Sequence, residues 1–349
     1  MLPAPLLAAC RRKGLSVTGS GDALHAGWRQ LWEECPVEEG IVVVPSAEVE
    51  DSRRVHHLIL MEEFADFAAL QAVLEPKACD LAVTGRPRVR LSGETIAREV
   101  HALGGLVGPA HAFTPWTALY AAHDSVRECY GGETIDFLEL GLSADSSYGA
   151  AIPDLYGIPF LSNSDAHSPG SCGREYTVVS SRENGPAGVL DSISRGEVVQ
   201  NAGFFPEEGK YNRTACSRCY RQYSLEEAVS LSWRCPDDGG RIKKGVLDRA
   251  RELSLGEERP RPPYLHRIPL PQILQRVLSV SSPRTGKVLA LYNRFLEQFG
   301  SEIRVLNEVP VGELALVHSG AAEAVDALRR ERVRFCPGGG GKYGSFSFY

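Results

Sequence analysis

Along the first part of the chain, short apolar runs end repeatedly on a carboxylate or an imidazole. Leu155-Tyr-Gly-Ile-Pro-Phe-Leu161 leads straight into Ser162-Asn-Ser-Asp-Ala-His-Ser-Pro169. Gly14-Leu-Ser-Val-Thr-Gly-Ser-Gly-Asp22 ends in Asp22, with His25 close behind, and Ile41-Val-Val-Val-Pro-Ser-Ala-Glu48 ends in Glu48. Gly105-Leu-Val-Gly-Pro-Ala-His111 ends in His111, and Asp136-Phe-Leu-Glu139 offers a further carboxylate. Helical stretches near residues 4–13, 25–34, 64–74, 93–103, 116–130 and 186–196 fall between these runs. Such alternation predicts an α/β fold with a parallel sheet or barrel, whose site lies at the strand C-termini. Residues two apart in a strand share a face, so Asp165 and His167 can converge on one point. Val55-His-His-Leu-Ile-Leu60 carries a histidine pair, only one of which can face a given side. Carboxylate with imidazole suits zinc or manganese, and the whole pattern reads as a multi-metal hydrolase site.

The second region differs in composition. Cys216-x2-Cys219, fifteen residues and then Cys235 give most of a ribbon-type zinc site, with Asp238 in the fourth position and Asp237 as its competitor. The nine cysteines of the chain thus read as metal-directed thiols of a reducing compartment rather than as a disulfide framework. Around the module stand Lys210, Arg213, Arg218, Arg221, Arg234, Arg241, Lys243, Lys244, Arg249 and Arg251, interleaved with Tyr211, Tyr220, Tyr223 and Trp233. The net charge of −6 predicts no general affinity for nucleic acid, so this local patch is where phosphates would be neutralised and bases stacked. No run approaches the roughly 20 apolar residues of a membrane span; a cytoplasmic, nucleoid-associated protein without a membrane partner is expected. After the stiff Arg259-Pro-Arg-Pro-Pro263 connector, residues 268–330 carry helical spacing, and Pro337 to Gly344 form a glycine loop. These shifts predict boundaries at 1–205, 206–255 and 256–349.

Taken together, several segments resemble the endonuclease Q family. They are Thr18 to His25, Pro109-Ala-His-Ala-Phe-Thr-Pro-Trp116, Glu139 to Ser143, Ser162 to Pro169, Gly173-Arg-Glu175, Phe205 to Tyr211, the cysteine module and the closing glycine loop. The resemblance implies a polymerase-and-histidinol-phosphatase (PHP) domain, a distorted (β/α)7 barrel, followed by a zinc-ribbon-like module and a helical C-terminal region. It implies metal-dependent cleavage of damaged double- or single-stranded DNA, 5′ of uracil, hypoxanthine, xanthine or an abasic site. A sliding clamp or repair factors would be further partners. The implied ligands of two or three divalent ions (Zn, Mn or Mg) are Asp22, His25, Glu48, His57, His111, Asp165 and His167. His57 is preferred to His56 because it opens a His-Leu-Ile-Leu run similar to the family's ligand strand. Glu48 would bridge, with Asp165 and His167 completing the catalytic set; one structural zinc would sit on Cys216, Cys219, Cys235 and Asp238.

Arg86 and Arg174 are expected to grip phosphate, since a guanidinium fits two oxygens at once. Lys210, Arg218, Arg221, Lys243 and Lys244 are expected on the DNA face, and Phe113 and Trp116 at a base pocket. The PHP fold begins with a strand ending in Asp-Leu-His-x-His; this sequence holds no such motif, and its first residues match the helix that follows. The expectation is therefore a barrel lacking its first strand as written, with an upstream start supplying it. Readings in other classes are a PHP phosphatase acting on a small ester and a non-catalytic DNA-binding copy.

Overall fold

The computed structural model describes residues 1–36, 40–81 and 83–349. Its strands are short. β1 (Val17–Gly19) and β2 (Val42–Val44) pair in parallel. β3 (Ser46–Glu50), β4 (His56–Leu60) and β5 (Leu106–Pro109) form an antiparallel sheet. β6 (Leu138–Glu139) and β7 (Phe160–Leu161) are parallel, whereas β8 (Tyr176–Val179) and β9 (Val198–Gly203) are antiparallel. The uniform parallel sheet expected from the alternation is thus replaced, among the described residues, by separate mixed ladders. The linker between β3 and β4 explains one reversal: a handful of residues cannot make the long crossover that parallel pairing needs. Asp51 instead closes a tight turn, its Oδ1 accepting the N–H groups of Arg53 and Val55 at 2.8 Å each, while Arg54 takes φ 67°.

A separate cluster with Val44, Leu161 and Val198 lies between the β1–β2, β6–β7 and β8–β9 ladders, whereas the β3–β4–β5 and β6–β7 ladders share one core. Val49, Ile59, Met61, Phe67, Leu70, Ile96, Val107, Tyr130, Leu138 and Phe160 are buried together, at about 1.5–3 kcal/mol for each large apolar side chain. Val246, Ala250 and Leu253 join the same core. They are the apolar stripe of helix Val246–Leu253, which the sequence-based boundaries placed in the cysteine module. The strand Tyr264–His266 likewise extends the β8–β9 sheet by pairing in parallel with β9. Both elements pack with the first region rather than with the small separate core of the cysteine module.

A second core begins at Ile268 and gathers Leu270, Ile273, Leu274, Val288, Leu291, Phe295, Leu314, Val325 and Phe346. In helix Gly286–Phe299 the buried residues Val288, Leu291, Tyr292, Phe295, Leu296 and Phe299 follow the helical repeat that the sequence predicts. Phe346 comes from a hairpin of Val333–Cys336 with Ser345–Phe348. Between those strands the glycine loop folds back onto the cysteine module: Gly338 accepts from Arg213 N–H, and Gly341 N–H donates to Lys210. Among the described residues, no helix is long and apolar enough to cross a membrane.

Candidate active site

The antiparallel register decides which side chains meet. Glu50 pairs with His56, Val49 with His57 and Glu48 with Leu58. Alternation therefore puts Glu48, Glu50 and His56 on one face and sends His57 to the other. On the first face, Glu48 Oε2 lies 3.6 Å from His56 Nδ1, and Glu48 Oε1 lies 3.7 Å from His111 Nε2. The two imidazoles approach to 3.3 Å, edge to face. Because β4 runs against its neighbours, the start of β4 adjoins the end of β5, and so His56 meets His111.

His57 does not take the ligand position expected of it. Fully buried beneath the sheet, it has Nδ1 2.7 Å from Tyr130 Oη and Nε2 3.3 Å from Asp51 Oδ2. The pleat is the reason: a strand cannot present two consecutive side chains to one face.

Backbone strain marks the rim. Asp22, His111 and Asp165 adopt φ of 52°, 33° and 41°, a left-handed region that Asp and His tolerate better than most residues and that is often occupied at functional sites. His111 is held there by Glu139, whose Oε2 accepts the His111 N–H at 2.8 Å while Oε1 accepts from Asn163 Nδ2 at 2.8 Å. Gly141 lies so close that an added Cβ would stand 2.8 Å from His111 Cβ. Burial holds the Glu139 carboxyl above the usual range, against the pull of His111. Burial also keeps His56 below its ordinary value, so the imidazole is neutral and its lone pair is available.

Across the rim, Arg86 Nη1 is 3.3 Å from Glu48 Oε2, and Arg86 Nη2 is 3.3 Å from His167 Nε2. Its loop rests on Asp22, for a Cβ at Gly85 would fall 2.2 Å from Asp22 Cβ. His167 is 64% exposed and folds back on its own loop, with Nδ1 3.0 Å from the Asp165 carbonyl. Arg174 is not free to grip phosphate: its Nε donates to the Ser164 carbonyl at 2.7 Å and its Nη2 to that of Asp165 at 3.2 Å. It braces the loop that carries Asp165 and His167. His25 stands at the start of helix Ala26–Glu33, its ring beside Gly27.

Among the described residues, the donors of Glu48, His56 and His111 come within 4.8 Å of one another, and Asp22, His25, Asp165 and His167 stay outside that group. One carboxylate and two imidazoles are a fit for a borderline divalent ion. His111 Nδ1 is buried with no hydrogen-bond partner, so the polar contacts of that ring run through Nε2, toward His56 and Glu48. The sequence reading did not include His56 as a ligand, offered Glu139 only as a further carboxylate, and gave Asn163 no role. The face of His56 depends on the register of β4 against β3, and the other two depend on contacts between distant segments.

In the cysteine module, Cys216, Cys219, Cys235 and Asp238 bring one donor each within 4.8 Å of the others. Cys219 Sγ lies 3.6 Å from Cys235 Sγ, and Asp238 Oδ1 lies 3.4 Å from Cys216 Sγ. Asp237 turns away to pair with Arg221 at 3.0 Å.

The basic patch divides. Arg218 donates to the Asp238 carbonyl and Lys244 pairs with Glu252 at 2.7 Å, so with Arg221 these cations serve the fold. Lys243 sits 3.7 Å over the ring of Trp116, which is 45% exposed, and Trp116 meets Tyr211 edge to face. Lys210 lies over both Tyr211 and the exposed Tyr343 of the glycine loop, and Lys342 over the exposed Tyr220. Phe113, expected at a base pocket, is buried against Tyr120 and Tyr148.

A family model described as PHP-associated matches residues 151–198, and one described as the MJ0043 C-terminal domain matches residues 269–332. The uncharacterized protein MJ0043 of Methanocaldococcus jannaschii is 41% identical over 248 residues; the match takes in 68% of this chain but only 31% of that protein, about a third of its length. The uncharacterized protein YqxK of Bacillus subtilis is 36% identical over 299 residues, 83% of this chain and 73% of that one. The lesion-specific endonuclease PfuEndoQ from Pyrococcus furiosus superposes with a TM-score of 0.94 at 42% identity, over 99% of this chain and 90% of its own. Endonuclease Q in complex with a 27-mer duplex, an abasic lesion at its active site, gives 0.94 at 41% identity, over 100% and 92%. A likeness of that extent, running through the Glu48 sheet and the cysteine module alike, shows that the chain belongs to the endonuclease Q family.

Proposed function

We propose that the protein is a metal-dependent DNA repair endonuclease that hydrolyses the phosphodiester 5′ of a deaminated base (uracil, hypoxanthine or xanthine) or of an abasic site. The observation that carries this reading is the junction at β5: His111 joins Glu48 and His56, and five residues further on Trp116 opens the exposed strip of cations on aromatics. A ligand group and a surface suited to nucleic acid are thereby parts of one loop. The relative that was crystallised on a duplex with an abasic lesion supports the same substrate.

Glu48, His56 and His111 would hold one divalent ion (Zn, Mn or Mg), and Asp165, His167, Asp22 and His25 would hold a neighbour after the rim adjusts. Such ions supply positive charge to the phosphate and make water acidic enough to attack near neutral pH. Glu48 presents one oxygen toward each imidazole, so both of its oxygens face the ion that the three residues would hold. Arg86 reaches between Glu48 and His167 and is the guanidinium placed to take phosphate oxygens. Glu139 and Asn163 would keep His111 in its strained conformation, so that this donor is set before the backbone of DNA arrives. The cysteine module would hold one zinc on Cys216, Cys219, Cys235 and Asp238 and keep Lys243 beside Trp116. A base leaving the stack costs least at a mispair, and Trp116 is the exposed ring next to the donors.

The test is a nicking assay on an end-labelled duplex with one deoxyuridine or one abasic site, with manganese or magnesium supplied. The expected result is a single cut just 5′ of the lesion, none on undamaged duplex, and loss of the cut in E48Q with DNA binding retained. Equal cleavage of undamaged duplex, or near-normal cleavage by E48Q, overturns the reading.

A further inference from the structure

A second group of donors lies behind the active-site sheet. Asp51, His57 and Cys129 bring one ligand atom each within 4.8 Å of the others, and all three side chains are buried, with Asp51 and His57 at 1% and 0% exposure. They come from the turn after β3, from β4 and from the short helix Val126–Tyr130.

Hydrogen bonding does not account for the group. His57 Nε2 faces Asp51 Oδ2 at 3.3 Å, close enough for a charge contact but too poorly aligned for a full hydrogen bond, and an under-satisfied buried nitrogen costs about 1–3 kcal/mol. The other ring nitrogen, Nδ1, is paired to Tyr130 Oη at 2.7 Å. That is the outer contact which fixes a ligating imidazole with Nε2 facing the ion. Asp51 Oδ1 is occupied by two backbone N–H groups, leaving Oδ2 toward the cluster. Gly93 closes the pocket: a Cβ there would stand 2.9 Å from both Cys129 Sγ and His57 Cε1. His123 stands outside that 4.8 Å group, although its Nε2 is also buried without a partner.

We infer that Asp51, His57 and Cys129 form a buried structural zinc site. Carboxylate, thiolate and neutral imidazole are zinc donors, and the burial of all three keeps substrate away, the setting of a structural rather than a catalytic ion. One carboxylate and one thiolate neutralise the ion's two charges, which a dry interior demands. The ion would tie helix Val126–Tyr130 to the strand that carries His56, so that adjacent imidazoles on β4 serve two centres on opposite faces.

The experiment counts zinc on the full chain. After growth in zinc, the wild type should hold one more equivalent per chain than C129S, and Y130F should bind that ion about 10–100-fold more weakly. Cobalt exchanged into C216S/C219S/C235S should still give a thiolate-to-cobalt absorption, and adding C129S should remove it. Equal zinc in wild type and C129S overturns the proposal. Should the variants fail to fold, a zinc-edge anomalous map of wild-type crystals decides. A peak between Asp51, His57 and Cys129 is the expected outcome; a peak in the cysteine module and none here overturns it.

Discussion

At positions 56 and 57 the chain carries two imidazoles, and the pleat of a single strand sends them to opposite sides of the sheet. His56→Ala should therefore reduce nicking by more than about 100-fold, the upper end of what outer contacts alone cost, with little change in Tm. A His56→Ala enzyme of normal rate would remove this residue from the ligand set. Glu175 permits a test of stability. Burial, the dominant cause, pushes its carboxyl up from 4.5 to about 8, while Phe204 N–H and Arg174 pull the other way. With the folded value above the unfolded one, folding takes up a proton between these limits. Stability is then full below about pH 4.5 and falls as pH rises toward about 8. E175Q should raise Tm over the wild type at about pH 9, a gain that vanishes near pH 4; thermal melts at the two pH values check it. Glu48 and His111, which the fold brings together, were legible in the sequence because ligand chemistry shows in residue type. The side His56 faces was not, since parity becomes a face only once a neighbour's register is fixed.

Elements explain what a count of charges cannot. Ten basic residues surround the cysteine module in sequence, yet hairpin and helix packing commits several of them inward. Lys244 is held by Glu252 from helix Val246–Leu253, whereas Lys243, one residue away on a strand, emerges over Trp116. The two should behave differently. Lys243→Ala should weaken DNA binding about equally across sequences and lower the salt slope by about 1, as for one lost phosphate contact. Lys244→Ala should leave the slope unchanged. Binding isotherms at several salt concentrations separate the two, and equal slopes for both variants would contradict the division of the patch. The cysteine spacing identified the module, and the fold brings Asp238 to the fourth corner because Gly240 N–H holds its Oδ1 at 2.8 Å. The reversal of β4 escaped the sequence because it depends on the tight Asp51 turn, which composition alone does not reveal.

Across the whole molecule, the regions are joined by contacts between the two ends of the chain. Helix Pro3–Lys13 stops at Gly14, which takes φ 89° and returns its N–H to Cys10 and Arg11. That stop leaves Lys13, 5% exposed, facing Glu302, 3% exposed, at 2.5 Å. Glu302 also accepts from Tyr292 Oη at 2.8 Å and from Leu270 N–H at 3.1 Å, so one carboxylate joins three helices of the second core to the N-terminal helix. Composition placed boundaries where residue type changed and could not register this tie, because it spans 289 positions. Removing the lysine strands the carboxylate, and breaking a buried pair from one side costs about 3–5 kcal/mol. Arg12 offers the control on the same helix, since its bond to Asn293 Oδ1 is exposed and worth about 1 kcal/mol or less. Lys13→Met should thus lower stability in denaturant several-fold more than Arg12→Ala. If the pair also couples the two cores, the Lys13→Met transition should split when followed by probes in each core. A single unshifted transition would mean that the cores are held together elsewhere, through Phe205 and the strand Tyr264–His266 that leads into the second core.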